Sequence, residues 1–496
     1  MSSGTSRSPS RERTEAAFDI ATRRLLDHAD AVSRGEGPVV GLEPLPEIRE
    51  RLALDRYIHE GGLAGDRLDA FLAEYLADST RLQHPGYLAH QVASVEPVAA
   101  VADLVHGVIN NPMAIYEMGP AAATVEATVL DWLLGKVGFD EGAGVLTHGG
   151  SLANLTALLA ARAAVAPDAW EEGNPNDLAV LVPHTSHYSV ARAVSIMGLG
   201  EGSIVPLDVD SLERVIPERV AHAIEQTRAE GRRVMAVTAN ACATSTGLHD
   251  PIDAIAAVCG DYGVWLHVDA AHGASALLSD TEKHWLRGVH LADSLVWDAH
   301  KMLRTSSLCA AVLFRHPGRF EQAFHQKADY LFYNEEQEQE VLLDTTEPDF
   351  MPRTIECTKA ELGLKLFMSL AIDGESALAA YVTSRYEATR HFYQMIRDRP
   401  GFDCPYEPEA NILCFRFVGE GATSPKNADA LQVRIRERLL RTGSYYLSST
   451  TIGPRRYLRM SVMSPHTDEK TIEAMLDAVE ETAGSLRASV DIAASG

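Results

Sequence analysis

The chain has 496 residues, 46% of them hydrophobic and 7% aromatic, which is the balance of a soluble protein with more than one core. A formal net charge of −25 argues against a nucleic-acid backbone or an anionic membrane surface as the main partner. No apolar stretch reaches the roughly 18 residues of a membrane helix, and six cysteines without a C-x-x-C pair suit a reducing cytoplasm.

The opening MSSGTSRSPSRER lacks the apolar centre of a secretory signal and reads as a disordered tail. TEAAFDIATRRLLDHADAV and LDAFLAEYLADSTRL read as charged helices joined by the turn-rich GEGPVVGLEPLPEI. Residues 1–90 therefore hold little core of their own and are expected to pack on a partner subunit or on the main domain. From 91 to 370 the pattern changes. AAATVEATVLDWLLGKV and SLANLTALLAARAAV have helical periodicity, the second with Ser151 as its expected N-cap. The apolar runs GVLTH, LAVLVP, RVMAVTA, GVWLHVD, SLVWD and LCAAVLF mostly alternate with helical patterns, the signature of an α/β domain with a mostly parallel sheet. GLGEGS (198–203) follows a helical pattern rather than a strand, so it reads as a turn and not as a dinucleotide loop. NEEQEQE (334–340) reads as a mobile polar loop. From 371 to 496, helices alternate with NILCFRF and RYLRMSV, a small α+β domain ending in a frayed DIAASG.

In such sheets ligands bind beyond the carboxyl ends of the strands. Just after the runs stand Gly149-Gly150-Ser151, then His184 and His187, then NACATSTGLHDP, then Asp269-Ala270-Ala271-His272, then Asp298-Ala299-His300-Lys301. Singly, each has a bland reading as a turn, a cap or a structural histidine. Jointly they meet the needs of pyridoxal 5′-phosphate. Gly150 and Ser151 open a helix that can hold its phosphate. Asp269 can pair with its ring nitrogen, His187 can lie on its ring, and Lys301 can bond its aldehyde. The 32 residues between Asp269 and Lys301 match about one strand–crossover–strand unit of roughly 30 residues.

WLHVDAAHGA followed by ADSLVWDAHKML resembles the signature of the group II pyridoxal-phosphate-dependent amino acid decarboxylases. The likeness runs from HPGYLAH (84–90) to YLRMSV, about residues 80 to 470. It implies a fold type I (aspartate aminotransferase-like) architecture, a homodimer with shared active sites, and decarboxylation of an L-amino acid to the amine through a Lys301 aldimine. It further implies that Ala271 packs on the second ring face, that His300 joins Gly150 and Ser151 at the phosphate, and that Thr244 lies beside the ring. Arg459 matches an arginine that in some members helps hold the substrate carboxylate, and His84 belongs to a segment expected to line the pocket. Many relatives also carry a loop tyrosine that protonates the substrate; its position here falls near Gln339. Of the nearby Tyr330 and Tyr333, the second is the expected donor. Ala243 departs from the relatives' Gly-Thr-Thr.

Other readings stay open. Oxidative decarboxylation–deamination to an aldehyde would use the same scaffold. A metal hydrolase built on His187, His267, His272 and His300 lacks a usual ligand spacing, so no metal is expected. A non-catalytic relative would not need an intact Lys301–Asp269 pair.

Overall fold

The computed structural model describes residues 8–324, 349–419 and 425–494. Strands β1 (Ala143–Thr147), β2 (Leu178–Pro183), β3 (Ile204–Leu207), β4 (Arg233–Asn240), β5 (Trp265–Asp269), β6 (Ser294–Asp298) and β7 (Ala310–Phe314) form one sheet, in the order β1-β7-β6-β5-β4-β2-β3. All neighbours are parallel except β7, which runs antiparallel to β1 and β6. Every residue of β2, β5, β6 and β7 is buried. That two-sided burial is why these strands read as unbroken apolar runs rather than alternating ones. Helix Gly150–Val165 packs across the central strands, and helix Pro120–Val137 packs on β1.

The edge strand β3 escaped the sequence reading. It has four residues, including Pro206, and only one of them is buried, so its composition carries little strand signal. GLGEGS is indeed a turn, leading into it through Glu201–Ser203. Part of the stretch expected as an N-terminal tail is helical. A helix starts at Pro9, where Ser8 accepts a hydrogen bond from Arg11 N at 3.3 Å. At the other end DIAASG is helical through Ala494.

A second sheet, ordered β10-β11-β9-β8, is formed by β8 (Phe402–Asp403), β9 (Ile412–Phe417), β10 (Ser448–Ile452) and β11 (Arg455–Ser461), all antiparallel. It has its own core, with Leu413, Phe415, Leu458, Met460 and Leu476. The hydroxyl-rich β10 (SSTTI) was not legible as a strand and is fixed by pairing with β11. Residues 86–89 join this sheet from far away in sequence: Leu88 N donates to Tyr446 O at 2.9 Å, and Ser461 N donates to Leu88 O at 2.8 Å.

Candidate active site

The carboxyl ends of β1, β4, β5 and β6 open on a cavity of about 340 Å³. After β1 the chain turns at Gly149, whose φ of 101° and ψ of 159° only glycine adopts without strain. The helix then begins at Gly150, with Gly149 and not Ser151 as its N-cap. This corrects the expected cap: the glycine turn comes first, and Ser151 sits inside the first helical turn, lining the cavity. Gly150 is required by closeness. A Cβ there would stand 2.7 Å from Asp298 Oδ1.

Asp269, at the end of β5, is buried and lines the cavity. Its Oδ2 accepts from Asn154 Nδ2 at 3.0 Å and its Oδ1 accepts from Ala271 N at 3.2 Å. Asn154 Nδ2 also donates to Ser189 Oγ at 2.8 Å, and Ser189 Oγ is 2.7 Å from His187 Nδ1. His187 caps the helix Tyr188–Ile196. Burial pulls its pKa below the ordinary value, the Asp269 charge opposing only in part, which favours the neutral ring. Ala271, Thr244 and His187 all line the same space.

Lys301 follows β6 and lines the cavity too. Its ammonium lies 3.2 Å from Asp298 Oδ2, which is also 3.6 Å from His300 Nε2. A lysine that is 18% exposed thus has a carboxylate partner that is 4% exposed. That pairing is what lets the run SLVWD end in two such polar residues. His300 is anchored through Nδ1, 2.7 Å from Cys309 O.

Residues 70–418 match the model of the pyridoxal-dependent decarboxylase conserved domain. The chain belongs to this family. Among its relatives, the mouse acidic amino acid decarboxylase GADL1 is 30% identical over 450 residues, covering 88% of this chain and 80% of that protein. The mouse cysteine sulfinic acid decarboxylase is 31% identical, covering 81% and 83% of the two chains. The L-2,4-diaminobutyrate decarboxylase of Acinetobacter baumannii is 28% identical, with coverages of 84% and 83%. The crystal structure of mouse CSAD superposes with a TM-score of 0.86 over 95% of this chain and 99% of that one, at 27% identity. The fold type I architecture and the pyridoxal-phosphate dependence follow.

The decarboxylase's cavity fits this cofactor. Its lining includes a helix N-terminus with a side-chain-free first residue and a carboxylate with donors on both oxygens. Other expected residues fall outside the lining. His84 is buried and accepts from Gly86 N at 2.9 Å through Nδ1. Arg459 donates to Ala89 O at 3.0 Å and Ser448 Oγ at 3.1 Å, while its Nε and Nη2 are buried without a hydrogen-bond partner. Its charge nevertheless reaches the cavity, helping to hold down the pKa of His272. Tyr333, Tyr330 and Gln339 lie outside the described residues.

The histidines weighed as metal ligands serve the decarboxylase differently. His267 bridges Asn154 Oδ1 and Ser294 Oγ at 2.9 Å each, and burial pushes its pKa down to about 4. His272 Nε2 lies 2.6 Å from Asn411 Oδ1, and burial pushes its pKa down to about 3. Among the described residues, no three His, Cys, Asp or Glu side chains converge as a metal site. Sequence reasoning missed Asn154 altogether, although it sits one helical turn after Gly150 on the buried face. Asp298 was noted only as part of its strand end. Cys242 was also missed; it lines the cavity as a thiol that burial pushes up to about 12.

Proposed function

We propose that this decarboxylase removes the α-carboxyl group of an L-amino acid with an acidic side chain, releasing CO2 and the amine. The observation that carries this reading is the buried Arg459 guanidinium, which stands outside the cavity lining with two unpartnered nitrogens and whose charge is felt at the cavity-lining His272. Such a group is costly to bury unless an anion completes it. The names of the relatives in mouse, acidic amino acid and cysteine sulfinic acid decarboxylase, agree with that anion. Pyridoxal phosphate supplies the electron-withdrawing ring that takes up the bonding pair released with CO2. The chain's own residues position it: Gly150, Ser151 and His300 at the phosphate, Asp269 at the ring nitrogen, Ala271 and His187 on the two faces, with Thr244 alongside. Lys301 supplies the amine that anchors it.

The catalytic unit in this reading is a homodimer in the cytoplasm, with large and small domains meeting near residue 370 and the residues before 91 spread over the partner. Val101, Leu104, Val108 and Ile109 form an exposed apolar face on one helix, and the cavity-lining Leu308 is exposed as well. The six free thiols suit a reducing compartment. The deciding experiment measures amine release from aspartate, glutamate and cysteine sulfinate against 2,4-diaminobutyrate, tyrosine and tryptophan. A higher kcat/KM on any of the last three would sink the acidic-substrate reading. Sedimentation should give a dimer that Leu104→Glu splits, with loss of activity.

A further inference from the structure

Seven groups, all but His187 buried, form one hydrogen-bonded network that ends at the cavity residues Asp269 and His187. Trp265 Nε1 donates to Ser294 Oγ at 2.9 Å, and that hydroxyl lies 2.9 Å from His267 Nδ1. His267 Nε2 is 2.9 Å from Asn154 Oδ1, and Asn154 Nδ2 donates to Asp269 Oδ2 and to Ser189 Oγ. Ser189 Oγ then meets His187 Nδ1, which also accepts from Ser189 N at 3.3 Å.

The chain can be read in only one direction. A carboxylate only accepts, so the Asn154 amide nitrogen faces Asp269 and its oxygen faces His267 Nε2, which must donate; Ser294 accepts the indole N–H of Trp265 and turns its own hydrogen to the bare His267 Nδ1. The proton of neutral His267 is then on Nε2 and goes to the Asn154 carbonyl oxygen. The Asn154 amide nitrogen is left with two hydrogens, one for Asp269 and one for Ser189. Ser189 in turn donates to His187 Nδ1, and the His187 proton stands on Nε2.

We propose that Asn154 is a positioning residue that fixes this polarity: it holds Asp269 as an ionised acceptor and His187 in its Nε2–H form. An amide does this where a carboxylic acid could not, because it does not pass a proton along the chain at neutral pH. Asp269 is thereby insulated from the protons of His267. The inference rests on Asp269 serving the cofactor's ring nitrogen.

The first test needs no turnover. In the full-length protein with 15N-labelled histidine, the signals lost in His187→Gln and in His267→Gln should each report a neutral ring protonated at Nε2 at pH 8. An Nδ1–H form of either ring overturns the proposal. The second test compares two near-isosteric variants. Asn154→Asp places a second carboxylate beside Asp269, and two carboxylates so close share one proton. While that proton is present it replaces the lost donor. The variant's kcat relative to wild type should therefore fall about tenfold or more from pH 6 to 8, with KM within about twofold. Asn154→Leu should lose about a hundredfold or more in kcat at every pH in that range. If both variants follow the wild-type pH profile, or the loss lies in KM alone, Asn154 has no such role. Should Asn154→Leu not fold, the histidine signals and Asn154→Asp still decide. Near-normal turnover in Asp269→Asn would instead refute the ring-nitrogen reading; a dead Asp269→Asn with unaffected Asn154 variants refutes only this inference.

Discussion

Replacing Lys359 with methionine tests how the active-site turn is held. Lys359 and Glu126 have fully buried side chains, and the ammonium donates to Glu126 Oε1 and, at 2.8 Å, to Leu146 O. It also lies 4.7 Å from the Phe350 ring centroid. Glu126 Oε1 accepts from Leu146 N at 3.0 Å, so the pair clamps both sides of one β1 residue, three before Gly149. Glu126 Oε2 has no hydrogen-bond partner even with the pair intact. Lys359→Met would leave that carboxylate buried with one backbone donor, which costs about 3–5 kcal/mol. Removing both charges in Glu126→Leu/Lys359→Met should recover about 2 kcal/mol of this. The remaining loss, about 1–3 kcal/mol, reflects the stranded Leu146 N–H and C=O groups. Urea unfolding of wild type, the single variant and the double variant, followed by tryptophan fluorescence, measures both steps. A loss below about 1 kcal/mol in Lys359→Met, or a double variant no better than the single, would refute the reasoning.

Borohydride treatment of the loaded enzyme should leave a pyridoxyl group on the peptide containing Lys301, and Lys301→Ala should abolish both the adduct and the yellow colour; an adduct on another lysine by mass spectrometry contradicts the assignment. Gly150→Ala brings a Cβ within 2.7 Å of Asp298 Oδ1, so the Kd for pyridoxal phosphate should rise about tenfold or more by equilibrium dialysis; an unchanged Kd sinks the cradle. Burial pushes the Asp250 carboxyl from 3.8 up to about 6, despite donors from Val215 N and Asn240. A raised folded-state pKa contributes stability below about pH 4 that is lost as pH rises to about 6, an amount of about 3 kcal/mol. Unfolding titrations at pH 4 and 7 should show that difference between wild type and Asp250→Asn, and parallel behaviour of the two would refute it.

The large sheet was legible because strands buried on both faces must be apolar throughout, so LAVLVP or SLVWD needs no neighbour to declare itself. The ends of those runs were legible for the same reason. Gly149-Gly150, Asp269 and Lys301 break an apolar pattern where ligands gather, and their chemistry converges on one cofactor. The direction of helix capping at Gly149, the hydroxyl-rich β10 and the edge strand β3 were decided by tertiary structure, because backbone partners rather than local composition fix them. The same holds for Asn154 and the Glu126–Lys359 pair. A polar residue on a helical stripe looks alike in sequence whether it faces water or the core. Only packing, which brings Asn154 to Asp269 across 115 residues and Lys359 to Glu126 across 233, assigns it a partner.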